Sequence, residues 1–104
     1  MNAVVVITTY NEAENITRLV PAVFEALPRQ DFSVLVVDDG SPDGTGDLVA
    51  GMIETKFPER LHILRREGKG GLASAYITGF RWGRERGFDA FLEMDADFSH
   101  KPEY

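Results

Sequence analysis

Phe32-Ser-Val-Leu-Val-Val-Asp-Asp-Gly-Ser-Pro-Asp-Gly-Thr45 is an apolar run that stops abruptly in a polar turn. Phe32 to Val37 reads as a strand buried on both faces, because it is short and β-branched with no polar alternation. The Asp, Gly, Ser and Pro residues that follow are turn formers. A strand of this kind needs layers packed against it, and the flanking sequence supplies them. On the N-terminal side, Ala3 to Thr8 is a second such strand, broken at Thr8-Thr-Tyr-Asn-Glu12. Asn11 is expected to cap a helix, with Glu12 and Glu14 in a first turn that favours acidic residues. Ile16, Leu19, Val20, Val23, Phe24 and Leu27 then fall on one helical face, and Pro28 ends it.

On the C-terminal side, Leu48, Val49, Met52 and Ile53 mark a second helix that ends before Pro58. Arg60 to Leu64 reads as a short third strand. Arg65-Arg-Glu-Gly-Lys-Gly-Gly71 is a basic, glycine-rich loop. Leu72, Ala73, Tyr76, Ile77 and Phe80 open a third helix that Gly87 is expected to end. Asp89 to Met94 is a fourth strand, and it runs into Asp95-Ala-Asp97. The order β-α-β-α-β-α-β with short links predicts an α/β fold. Its sheet is mainly parallel, with buried strands and helices on both faces. Ligands of such sheets bind beyond the carboxyl ends of the strands. The four unusual loops all follow strands, so all four are expected on one edge.

The chain has 104 residues, enough for one domain. Hydrophobic residues make up 43% and charged residues 27%, a mix ordinary for a soluble globular domain. A formal net charge of −6 argues against a nucleic-acid surface. It also sets a problem for any anionic ligand, which a divalent cation held by acidic side chains would solve locally. There is no cysteine, which removes disulfides and thiolate metal sites. No apolar window of about 18 residues suggests a membrane span. The N-terminus lacks a basic region before its apolar run, so a secretory signal is not expected and the cytoplasm is the default location.

The loops carry the chemistry. Asp95 and Asp97, one residue apart at a strand end, are hard oxygen donors that suit Mg²⁺ or Mn²⁺. A bare pair of this kind is also an ordinary acidic turn. Tyr10 is able to stack on a flat ring or simply to cover the sheet end. Glu12 is a candidate acceptor for a base or sugar hydroxyl, or a partner of the helix dipole. Asp38 and Asp39 point to opposite sides of their strand. Asp39 is expected to face a ligand and Asp38 to brace the turn, with Ser41 and Asp43 as turn and cap residues. Lys69, between glycines, is able to approach a phosphate, although the loop lacks the Gly-Lys-Ser/Thr of a P-loop. His62 is expected at a strand edge. His100 lies close to the acidic pair in sequence, and the two histidines do not form a zinc set.

Taken together, four segments resemble the inverting GT-A glycosyltransferases of family 2, and within them the dolichol-phosphate (polyprenol-phosphate) mannose synthases. The segments are Thr8 to Glu12, Val36 to Thr45, Gly68 to Tyr76 and Met94 to His100. The resemblance implies a Rossmann-like GT-A nucleotide-binding half, spanning residues 1–104, without the half that binds the acceptor. It implies that Thr8, Tyr10, Glu12, Val37 and Asp39 line the nucleotide pocket of GDP-mannose. Asp95, Ala96 and Asp97 would meet the ribose and diphosphate. Asp95 and Asp97 would hold Mg²⁺ or Mn²⁺, with Ser99 contributing through a water. The implied acceptor is a polyprenyl or dolichyl phosphate, at the cytoplasmic face of a membrane. Two positions depart from the family pattern: Thr8 and Lys101 each stand where proline is common. A donor with a UDP nucleotide, or a nucleotide-binding fragment inactive by itself, fits the same residues. A phospho-acceptor signalling domain fits less well, since its acids follow strands 1 and 3 and here they follow strands 2 and 4.

Overall fold

The computed structural model describes residues 2–26, 32–67 and 72–95, with the side chains of 72, 73 and 95 left aside. Its elements are β1 (Ala3–Thr9), α1 (Ala13–Ala26), β2 (Phe32–Asp38), α2 (Thr45–Thr55), β3 (Leu61–Arg65), α3 (Leu72–Glu85) and β4 (Ala90–Asp95). The four strands form one parallel sheet in the order β3-β2-β1-β4. The expected α/β architecture is therefore present, with β3 running Leu61–Arg65 rather than Arg60 to Leu64. The chain moves outward from β1 through β2 to β3, then crosses back through α3 to the other side of β1. That reversal leaves a switch point between the carboxyl ends of β1 and β4, where sheets of this type bind ligands.

Val4 to Ile7 are fully buried on both sides of the central strand β1. Val5 and Ile7 join Ile16, Leu19, Val20, Val23, Val49 and Met52 in a core beneath α1 and α2. Val4 and Val6 join Leu35, Val37 and Ala75 in a second core beneath α3. The helical face read from the sequence is thus the one that packs in α1. The helix accommodates Pro21 in its interior, at the loss of one backbone hydrogen bond. Leu27, Pro28 and the helix end expected there lie outside the described residues.

α3 lies unusually close to the sheet. A Cβ at Gly79 would stand 2.7 Å from Val6 Cγ1, and one at Gly83 would stand 2.7 Å from Phe91 Cε1. Ala75, Gly79 and Gly83 recur every four residues, so small residues form the contacting stripe. Phe88 N donates to Gly83 O at 3.0 Å and Gly87 N to Arg84 O at 3.2 Å. With Gly87 at φ 86, this is the glycine-ended helix terminus that the sequence predicts.

Three expectations are corrected. Leu48 and Ile77, counted among the apolar faces of α2 and α3, are exposed, Ile77 to 55%. Ile77 borders an open groove beside Phe80 and Phe91. β4 is not a buried strand: Leu92 is 53% exposed, because β4 pairs with β1 alone among the described residues and α1 and α2 cover the other end of the sheet. Asn11 is not a helix cap. It adopts φ 56, and Glu12 O accepts from Ile16 N at 2.8 Å, so Glu12 holds the capping position.

Candidate functional site

The loop after β2 builds the floor of the switch-point edge. Asp38 is 3% exposed and accepts three hydrogen bonds. They come from Thr9 Oγ1 at 2.7 Å, Ser41 N at 3.1 Å and Ser41 Oγ at 2.6 Å. Buried carboxylates need such partners, since an unpaired one costs several kcal/mol. The bracing role expected of Asp38 is the one it has. Asp39 N donates to Thr9 O at 3.0 Å, extending the β1–β2 ladder by one step.

The same loop caps α1. Asn11 N donates to Ser41 Oγ at 2.9 Å, Glu12 N to Thr45 Oγ1 at 3.0 Å and Ala13 N to Asp43 Oδ2 at 3.1 Å. Three successive N–H groups at a helix start are thus satisfied by side chains about thirty positions away. Asp43 also accepts from Thr45 N at 3.0 Å and from the Thr45 hydroxyl. The Thr45 hydroxyl is the largest influence; desolvation, next, opposes it, and the backbone donors add to the hydroxyl, so the Asp43 carboxyl is held below its ordinary range. Ser41 and Asp43 are turn and cap residues, as read from the sequence. The left-handed Asn11, which the expected cap did not foresee, turns the chain so that these N–H groups face the loop.

The predicted ligand residues divide into three sets. Thr8 lies opposite Val37 on one side and opposite Asp95 on the other, by strand register. This brings three of them into one row at the carboxyl ends of β2, β1 and β4. Asp39 follows directly beyond Val37 and Asp38, and Tyr10 lies exposed beyond the end of β1. Glu12 is turned toward its own helix: its Oε2 accepts from Asn15 Nδ2 at 3.0 Å. Glu12 thus borders a cleft shared with Asn11, Glu14, Asn15 and Asp43. Lys69, Ala96, Asp97, Ser99 and His100 lie outside the described residues, as does the side chain of Asp95. The described residues alone hold no cluster of three metal-ligating side chains. No helix among them is long and apolar enough to cross a membrane.

Asp39 is paired with a residue that the sequence reading left in its loop. Arg66 Nε stands 2.8 Å from Asp39 Oδ1, and both side chains are 15% exposed. The only signal for this was the double arginine at the end of β3. Neither arginine announces which one turns inward. Arg65 turns outward, donating to Asp47 Oδ1 at 3.0 Å in the open. His62, on the edge strand β3, packs at 5.1 Å against the Trp82 ring. Partial burial, and then the nearby Arg86 charge, lower its pKa below the ordinary histidine value.

Residues 4–104 match the model of Glycosyl transferase family 2. The chain is 50% identical over 99 residues to a polyprenol monophosphomannose synthase of Mycolicibacterium smegmatis, covering 95% of this chain and 36% of that protein. It is 50% identical over 105 residues to an undecaprenyl-phosphate mannosyltransferase of Micrococcus luteus, covering 99% of this chain and 41% of that one. Among solved structures, a mannosyltransferase of Pyrobaculum calidifontis in complex with GDP-Man and Mn²⁺ superposes with a TM-score of 0.80 and 31% identity. That match covers 92% of this chain and 27% of the other. The chain therefore spans well under half the length of each of these proteins.

Proposed function

Because this chain belongs to glycosyl transferase family 2, we propose that it forms the nucleotide-sugar-binding part of an inverting, metal-dependent GT-A mannosyltransferase. The donor is GDP-mannose and the acceptor a polyprenyl phosphate. The observation that carries this reading is the row Val37, Thr8 and Asp95 across three parallel strands at the switch point. The named activities of the relatives supply the sugar and the lipid.

In this reading Thr8, Tyr10 and Asp39 line the nucleotide pocket, Val37 offers it only backbone because its side chain is buried in the core, and Glu12 stands at its margin. Lys69 approaches the phosphates, and Asp95, Ala96 and Asp97 meet the ribose and diphosphate. The donor set fits a hard divalent ion: two carboxylates, with the Ser99 hydroxyl acting through a water, are oxygen donors of the kind Mn²⁺ and Mg²⁺ prefer. When bound, such an ion would neutralise charge developing on the departing diphosphate. The attacking oxygen belongs to a phosphate already ionised at neutral pH, so no strong general base is required. A new C1–O bond forms on one face of the sugar while the bond to GDP breaks on the other, and GDP leaves with the electron pair. Acceptor binding and membrane contact would draw on parts of the relatives that this chain does not span, and the chain alone is expected to bind nucleotide without turnover.

Calorimetric titration of this chain with GDP and with UDP, each with Mn²⁺ and then Mg²⁺, tests the proposal. GDP is expected to bind at least about tenfold more tightly than UDP, the scale of one or two hydrogen bonds to the base. Equal binding of the two would move the reading to a UDP-sugar transferase. Binding of neither would end it.

A further inference from the structure

We propose that Arg66 is a positioning residue for nucleotide recognition, its guanidinium fixing the Asp39 carboxylate at the rim of the site. The inference rests on the reading of that rim as a nucleotide pocket.

Arg66 is anchored before its side chain begins, because its N–H donates to Asp38 O at 2.8 Å. From there Nε reaches to 2.8 Å from Asp39 Oδ1, and Nη1 donates to Thr78 Oγ1 at 3.3 Å. The Thr78 hydroxyl in turn donates to Ser74 O at 2.9 Å. One side chain thereby ties the exit of β2 to α3. At 15% exposure both charges are largely out of water. Removing one partner of such a pair strands the other, which is why the two hold each other in place.

The contact is ionic without being saturating. Asp39 Oδ1 is buried and accepts no hydrogen bond. A buried carboxylate oxygen left without a donor calls for an explanation. Asp38, next in sequence, is committed to three donors and has little left to offer a ligand. Oδ1 of Asp39 is turned inward onto the Arg66 guanidinium, which accounts for its burial and orients the carboxylate by charge, so an N–H from a base would be received by the other oxygen. Arg65 is the contrast: its partner Asp47 is exposed, and a pair of that kind contributes little.

The test titrates parent and variant chains with GDP and, as a probe lacking a base, with pyrophosphate, both with Mn²⁺. Arg66→Ala is expected to weaken GDP by about tenfold or more, the scale of a charge-assisted hydrogen bond. Pyrophosphate binding is expected to stay unchanged. Arg66→Lys should recover part of the GDP affinity, since an ammonium still pairs with Asp39 but lacks the fork that also reaches Thr78. In an Asp39→Asn background, Arg66→Ala should cost little more, because the two act as one unit. Arg66→Gln replaces Arg66→Ala in each comparison if the alanine variant does not fold. GDP binding left intact by the substitution, equal losses for GDP and pyrophosphate, or additive losses in the double variant would each overturn the inference alone. A parent chain that binds no GDP would overturn the nucleotide reading and this inference with it.

Discussion

Thr9 Oγ1 donates to Asp38 Oδ1 across 2.7 Å, joining the carboxyl ends of β1 and β2 directly beneath the candidate site. The carboxylate also takes both donors of Ser41, so one side chain fixes two strand exits and a loop. Asp38→Ala would leave the Thr9 and Ser41 donors without their acceptor. We expect a loss of about 3 kcal/mol in urea unfolding, the range for breaking buried hydrogen bonds to a charged group. A loss under about 1 kcal/mol would mean that water replaces the carboxylate freely.

The approach of α3 to the sheet predicts opposite outcomes for the same substitution at two glycines. Gly79→Ala places a methyl carbon 2.7 Å from Val6 Cγ1. It should destabilise by about 1–3 kcal/mol, the cost of overpacking a core. Gly51→Ala, in α2, meets nothing within 4 Å. It should stabilise by about 0.5–1 kcal/mol through helix propensity. Thermal unfolding of the two variants beside the parent decides both.

Much of this fold was legible because buried parallel strands are written as continuous apolar runs and helices as spaced ones. Val4 to Ile7 and the Ile16, Leu19, Val20, Val23 series needed nothing more. What stayed hidden was set by contacts between distant segments. Asn11 looked like a cap because of its residue type, while the donors at that helix start are taken by Ser41, Asp43 and Thr45. Leu92 looked buried because it is apolar, while its burial depends on what lies beside β4. Of the site, strand alternation separated Asp38 from Asp39, and the bracing role expected of Asp38 is the one its hydrogen bonds give it. The partner of Asp39 did not follow from it, since either arginine after β3 satisfied the sequence equally.

His62 predicts a pH dependence of stability. Its folded pKa is lowered by burial and by Arg86, so the folded state binds its proton less readily than the unfolded chain does. Stability from this group is therefore intact above the unfolded value of about 6.5 and declines as pH falls from there toward the folded pKa. Urea midpoints between pH 7.5 and 5.5 should fall in the parent. The fall should be smaller in His62→Gln, and identical slopes would rule out this histidine as the cause.

Asp43 has a dependence of the same sign in a more acidic window. Its lowered carboxyl contributes stability above its ordinary value of 3.8, and that contribution is lost as pH falls through the folded pKa. Because the Thr45 hydroxyl is the leading cause, Thr45→Val should move the Asp43 titration back up toward the ordinary value. Carbon-detected NMR of the Asp43 carboxyl reads the shift directly. A midpoint that does not move would assign the lowering to the backbone donors instead.

The metal role proposed for Asp95 and Asp97 predicts a loss of turnover in a protein that carries this chain together with the remainder of its relatives' length. Asp97→Ala should reduce mannose transfer by at least about a hundredfold, the scale for losing one group that stabilises transition-state charge. Chelation of Mn²⁺ should match that loss in the parent and add little in the variant. Near-normal transfer by Asp97→Ala would remove this residue from the reaction.

The start of α1 depends on oxygen atoms that arrive some thirty residues later in the chain. The first β-α unit therefore cannot complete its own geometry as it is synthesised. Until β2 has docked, the N–H groups of its opening turn have only water in place of Ser41, Asp43 and Thr45. Closing that gap is an early entropic hurdle, and it makes the β2–α2 turn a checkpoint in the order of assembly. Lesions in that turn would be felt as slow maturation of a segment they never touch in sequence.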